Sequence, residues 1–401
     1  MDISQPMDVT RPPARWGLLG ARLVVLATFL DLFMQLPVMA PYAVAVGATP
    51  LMVGVIVGMY SATNLFGDLL AGPILDRWGR RRPILIGLGA TLLAVLLYIP
   101  ARDPWTLLAA RAVHGFGAAV LATGAFTMLG DMARRDRRAQ VMGRSGALIA
   151  VAAIVGPPVS GILRDRVGFG AVFLTVALVM LATFLAFLRW GREAPEPVPV
   201  LREARRPAPS FISLVTRHRL AAAYLGVLAF TVGLGTLVAH LPLALEALGA
   251  GGSRSGMTFG TYAVVALLAM LSPIVRFSDE RGRRMPMALG LFLMALGLMT
   301  VGLASSVGVI VAGMAAFGLG FGLLFPSATA LVVEGAAPAE RGTAFGIFYA
   351  IYSFGVVIGS WLSGAVAQVQ GEVTGLPFLV AAPVALFAAP IVLRLAPGKA
   401  R

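Results

Sequence analysis

Asp76-Arg77-Trp78-Gly79-Arg80-Arg81 and Asp279-Glu280-Arg281-Gly282-Arg283-Arg284 are two copies of one short sequence, set 203 residues apart. The same offset, with no gap, carries Pro83 onto Pro286 and Gly87 onto Gly290. It carries Gly115 and Gly117 onto Gly318 and Gly320, Asp131 onto Glu334, and Arg138 onto Arg341. Further on, Gly143 meets Gly346, and Gly156 and Gly161 meet Gly359 and Gly364. Glycine is abundant, so one glycine match means little. An acid, a basic pair and a proline aligned at a single offset mean much more, and the chain reads as a doubled unit.

What is doubled follows from composition. Hydrophobic residues make up 58% of the 401 and charged residues only 12%, against about 25% charged in a soluble domain. Uncharged runs such as Ile84 to Ile99 approach the roughly 20 apolar residues that cross a bilayer. Twelve spans are expected, at about 19–41, 50–72, 83–100, 105–131, 140–163, 169–190, 219–246, 257–277, 285–304, 307–334, 341–366 and 375–395. The first is read as uncleaved, because no small-residue cleavage site follows it. The fold class expected is an all-α membrane protein: two six-helix bundles related by a parallel repeat, the same way up because six is even.

The net charge of +14 would suit a nucleic-acid binder, but the basic residues sit in short clusters between apolar runs, as in membrane proteins. With the N-terminus cytoplasmic, Arg102, Arg164, Arg166 and Arg254 fall outside and Arg111 within span 4. The remaining 27 of the 32 Lys and Arg fall inside or at cytoplasmic span ends. That asymmetry places both termini in the cytoplasm. Residues 191–218 hold five prolines and five arginines and read as a cytoplasmic linker. It divides a bundle at 1–190 from a bundle at 219–401. Without cysteine there is no thiol chemistry or thiolate metal site. No phosphate-binding Gly-Lys-Ser/Thr loop and no His-Glu-x-x-His occurs, so neither an enzyme, a cofactor nor a metal is expected.

Two intramembrane positions point to function. Asp31 lies about ten residues past Arg22, hence about 15 Å deep at 1.5 Å per residue. Acids at that depth are functional by default. Desolvation and a nearby cation pull such a group's proton affinity in opposite directions, which suits a proton carrier; a fixed structural salt bridge is the plainer alternative. Arg111, descending from the outside, is the expected partner. Gln35 is one turn beyond Asp31 at Arg111's depth, and His114 one turn beyond Arg111 at Asp31's depth. The four form one cluster if spans 1 and 4 face each other. His114, an imidazole that can take or give a proton, is a second proton-handling candidate, or else a packing residue. Asn64, His240, Phe325, Tyr349 and Tyr352 are candidate cavity residues, with packing as the alternative. Glu246, at the outer end of span 7, reads as solvated.

Three stretches carry a resemblance. Gly72-Pro-Ile-Leu-Asp76-Arg77-Trp-Gly79-Arg80-Arg81 resembles the signature loop between spans 2 and 3 of the major facilitator superfamily. Leu107-Leu-Ala-Ala-Arg111-Ala-Val-His114-Gly115-Phe-Gly117 resembles its span 4 motif, with His114 where Gln is usual. Gly156-Pro157-Pro158-Val-Ser160-Gly161 resembles the span 5 motif of its exporters, with Ser160 replacing a glycine. The resemblance covers nearly the whole chain and implies alternating access around a midplane site. It favours the twelve-span drug:proton antiporter branch, acting as a monomer in a bacterial inner membrane. It implies that Asp76, Arg77, Gly79, Arg80 and Arg81 latch the cytoplasmic gate, with Asp279 and Arg283 as a weaker copy; the plainer reading is a topology anchor. Proton-coupled export of amphipathic or cationic molecules is the expectation. Proton-coupled import of a sugar, organic acid or other nutrient, in which Arg111 binds an anion, stays open, as does lipid or lysolipid translocation.

Overall fold

In hydrocarbon every backbone N–H and C=O must find its partner within the protein, so long apolar runs fold as helices. The computed structural model describes residues 15–133, 137–191, 211–272, 282–337, 340–371 and 375–395. Its helices are α1 (Arg15–Met34), α2 (Met39–Ala45), α3 (Pro50–Trp78), α4 (Arg81–Tyr98), α5 (Pro104–Met132), α6 (Arg138–Val167) and α7 (Phe169–Trp190). There follow α8 (Phe211–Val215), α9 (His218–Ala247), α10 (Gly252–Leu271), α11 (Arg284–Gly302), α12 (Val307–Gly335), α13 (Arg341–Gln370) and α14 (Leu376–Leu395). All but α2 and α8 are long and apolar enough to cross a membrane, giving the twelve expected spans. Starts are set by local chemistry. Thr49 accepts from Met52 N ahead of Pro50, and Asp103 accepts from Trp105 N and Thr106 N ahead of Pro104, the side-chain cap plus N1 proline that helices favour.

Span 1 differs from the uninterrupted run expected over 19–41. It breaks after Met34 and resumes as α2. Pro37 has no N–H and its ring crowds the carbonyl four residues back, so tight turns bridge the gap, with Leu36 N on Phe33 O and Val38 N on Gln35 O. The break begins at Gln35, one turn beyond Asp31.

Twelve crossings put the start of α1 and the end of α14 on one face, termed proximal here; the opposite face is distal. One apolar core joins α1 to α7 and a second joins α8 to α14. The repeat is structural as well as sequential. Arg80 Nε lies 3.1 Å from Asp131 and Arg283 Nε 3.2 Å from Glu334, and these residues differ by the same 203 positions. Gly79 and Gly282 both turn the chain at positive φ, 76° and 87°, where a side chain would be strained.

The bundles meet mainly through two helix pairs, α3 with α13 and α6 with α10, which the repeat exchanges, and α9 adds smaller contacts to α2 and α3. Both contacts are backbone-close. A Cβ on Gly54 would lie 2.2 Å from Ser360 O, one on Gly256 2.1 Å from Pro157 O, and one on Gly161 2.1 Å from Gly252 O. All of these lie in the distal half. In the proximal half, Gly72, Gly143, Gly146, Gly342 and Gly346 have nothing within 4 Å of such a position. Among the described residues the two pairs are therefore in backbone contact distally and apart at these proximal positions.

Candidate functional site

Spans 1 and 4 do face each other: α1 packs on α5. The carboxylate of Asp31 sits between two donors. Gln35 Nε2 donates to Oδ1 at 2.5 Å, and His114 Nε2 lies 2.8 Å from Oδ2. Arg111 was expected to partner Asp31 directly. Instead its guanidinium donates to Gln35 Oε1 at 2.7 Å and to the α3 carbonyls of Ile56 and Val57 at 3.2 and 3.1 Å. Depth explains the difference: Gln35 stands level with Arg111 and takes the cation, while His114 stands level with Asp31. All four are buried, with Asp31 1% and His114 0% exposed.

Two members have no signal in the sequence, because a tyrosine in an apolar span looks like any packing aromatic. Tyr98 Oη lies 2.7 Å from His114 Nδ1. Tyr60 packs edge-on to His114 and lies under the Arg111 guanidinium, 5.0 Å from it. Tyr42 in turn donates to the carbonyls of Tyr98 and Ala101. The imidazole is therefore bonded at both nitrogens. A neutral ring donates from Nε2 to Asp31 and accepts at Nδ1 from Tyr98; a charged ring donates from both. In either protonation state both ring nitrogens keep a partner, Asp31 at Nε2 and Tyr98 at Nδ1.

The other candidates are dispersed. Asn64 sets its amide between Asp68 on its own helix and Ala119 N on α5, 3.2 Å from each in the orientation that satisfies both ends. His240 is buried in the distal half of α9, and its Nδ1 has no partner among the described residues. Phe325 and Tyr352 belong to a chain of ring contacts with Phe321, Phe230 and Phe348 in the second bundle. Tyr349 ends that chain against Phe345 and is 48% exposed.

The expected gate residues tie helices within their own bundle. Arg80 bonds Asp131 and Leu75 O, and Arg81 bonds the carbonyls of Gly191 and Leu188 at the end of α7. Asp76, 80% exposed, pairs at 3.5 Å with Arg80 in the turn just beyond its helix; Arg77 is exposed. Asp279 lies outside the described residues. The span 5 motif splits between neighbours: Gly156 faces Phe33 of α1, whereas Pro157 and Gly161 touch α10.

The distal face carries a clamp between the bundles. Asp165, at the end of α6, accepts from Gly252 N at 2.7 Å and Ser253 N at 2.8 Å, at the start of α10. An anion at a helix N-terminus is favourable. Beside it Arg164 pairs with Glu246, so Glu246 is not merely solvated as expected. Asp68 in α3 is a second carboxylate within a span, recognisable by the same rule that singles out Asp31.

The family model described as the Major Facilitator Superfamily matches residues 23–275 and 225–401. The inner membrane transport protein YajR of Escherichia coli is 25% identical over 364 residues, 88% of this chain and 76% of its own. The multidrug resistance protein MdtL of Salmonella heidelberg is 28% identical over 286 residues, 67% of this chain and 69% of its own. Among solved structures, a bacterial homologue of the human lysosomal transporter Spinster, inward-facing and occupied, superposes with a TM-score of 0.80. It is 14% identical over 98% of this chain and 100% of its own.

Proposed function

The chain belongs to the major facilitator superfamily and is a multi-pass membrane transporter, and on that premise we propose that it exports amphipathic or cationic small molecules in exchange for protons. The observation that carries this reading is the buried chain Tyr98–His114–Asp31, flanked by Gln35 and Arg111. With Arg111 offsetting Asp31, the cluster is neutral when His114 is neutral and gains one charge when a proton arrives. A proton taken up there changes the balance of a region shielded from water, where electrostatic differences are large. The likeness to MdtL supports the export direction.

In this reading the proximal face is cytoplasmic, on the strength of its arginines, and the protein acts as a monomer in an inner membrane. The bundles at 1–190 and 219–401 rock about the midplane, joined by the linker. The structure then corresponds to the inward-open state, with the Asp165 clamp shut. Asp76, exposed beside Arg80, exchanges that pairing for the N-terminus of α13 once the proximal face closes.

The test is transport in right-side-out vesicles under an inward proton gradient. Dye extrusion that collapses with the gradient is expected; gradient-driven uptake would overturn the direction. Asp31→Asn should move substrate only down its own gradient. If that variant still concentrates substrate against the gradient, Asp31 is not the coupling residue.

A further inference from the structure

Asp68 is not used by the proton chain. It lies inside span 2, eight residues before the exposed Asp76, so about 12 Å along α3 from that proximal charge. No Arg or His side chain pairs with it among the described residues. Its one polar neighbour is Asn64, a turn away. With the amide oriented to satisfy both its ends, Nδ2 lies 3.2 Å from Asp68 Oδ2 and the oxygen 3.2 Å from Ala119 N. A carboxylate within a span, served only by an amide, lacks a countercharge.

The helix register shows what it faces. At 100° per residue, Asp68 falls about 40° from Gly54 and about 80° from Gly58 around α3, on the side turned to the second bundle. Gly58 meets Ser360 of α13. Ten residues on along α3, and ten back along the antiparallel α13, Asp68 stands level with Ala350, beside Tyr349. Tyr349 lies about 20° from Ser360 around α13, so it faces α3. At this level the helices have parted: Tyr349 is 48% exposed, and Gly346, a turn below, has nothing within 4 Å of a Cβ. A carboxylate on one wall thus confronts an aromatic wall, where Phe345 stacks on Tyr349 and the ring contacts run on through Phe348 to Phe325.

We propose that Asp68 is the substrate-charge residue: it supplies the missing countercharge to an aromatic or alkylated organic monocation seated between α3 and the Tyr349 wall. The Asp31–His114 pair handles the proton separately. The inference rests on the transporter reading and concerns its specificity. Carboxylate plus aromatic face is the pairing that desolvated organic cations favour. Asn64 holds the carboxylate in place between occupants.

The test is equilibrium binding of radiolabelled tetraphenylphosphonium to the full-length purified protein. Wild type is expected to bind. Asp68→Asn should weaken binding by at least about tenfold, Asp68→Glu by no more than about threefold, and Tyr349→Leu by a few fold. Binding by Asp68→Asn within twofold of wild type, or no binding by wild type, would overturn the proposal. Should Asp68→Asn fold poorly, the wild type decides. Tetraphenylphosphonium should protect Asp68 from carbodiimide modification, read by mass spectrometry, and absence of protection would overturn it equally. Asp68-dependent binding without gradient-driven export would remove the coupling reading and leave this one; gradient-driven export with binding indifferent to Asp68 would do the reverse.

Discussion

Gly161→Ala should open the distal face. Its Cβ would lie 2.1 Å from Gly252 O and 2.7 Å from Gly252 C, both backbone atoms at the start of α10. No side chain can rotate away, so α10 must retreat by about 1.3 Å to restore an ordinary 3.4 Å contact. That shift stretches the 2.7 Å bond from Gly252 N to Asp165 beyond bonding range. Overpacking of this kind costs about 1–3 kcal/mol, which shifts a two-state equilibrium about 5- to 150-fold. The absence of cysteine makes the measurement direct. Ser360→Cys puts a sole thiol at a fully buried position on the other distal contact, and its reaction with a maleimide reports the distally open fraction. Gly161→Ala should accelerate labelling by the factor above. Gly146→Ala, on the same helix with nothing within 4 Å, should not. Labelling of both at the wild-type rate would refute the idea that this backbone contact holds the face shut.

Arg111→Lys keeps the charge but not the fork that reaches Gln35, Ile56 O and Val57 O together. A loss of about 2–4 kcal/mol is expected, visible as a lower melting temperature with transport abolished; an active, equally stable variant would contradict the assignment. Tyr98→Phe strips His114 Nδ1 of its partner and should displace the pH midpoint of transport. Tyr42→Phe, which touches only carbonyls, should leave that midpoint alone, and the same midpoint in both variants would refute the role of Tyr98. At the proximal rim the hydrogen-bonded Arg217 guanidinium holds the Glu340 carboxyl below its ordinary value of 4.5. A lowered carboxylate stabilises the fold fully above that ordinary value, and the contribution disappears as pH falls through the folded value. Glu340→Gln should therefore melt below wild type at pH 7 and converge with it on acidification; a constant difference would count against the pairing.

The fold was legible because hydrocarbon leaves few options and the 203-residue offset needed no gap. Span 1 was legible only in part, since membrane helices often tolerate proline, and whether Pro37 is tolerated depends on packing. The charged half of the central cluster was legible from depth counting, as charges are rare there. Tyr98 and Tyr60 were not, since a neutral ring in an apolar run gives no sign that its neighbours need a hydrogen bond or a π face. The pairing inside the cluster also escaped: a count of turns puts Gln35 and Arg111 at one level, but choosing His114 over Arg111 as the neighbour of Asp31 requires side-chain positions. The Arg164–Glu246 pair joins residues 82 apart in sequence and in different bundles, so nothing local announces it.

The distal seal has two parts with different sensitivities. Its centre is glycine against carbonyl, at Gly54, Gly161 and Gly256. Parting such surfaces frees no rotamers and uncovers no charge, so the centre opens and recloses identically at any pH or ionic strength. Its rim is ionic, at Asp165, Arg164 and Glu246, and faces the compartment beyond the membrane. Acid or salt arriving from that side therefore reaches the lock without touching the hinge surface. The sensitivity of the distal seal to pH and salt thus lies in its rim alone.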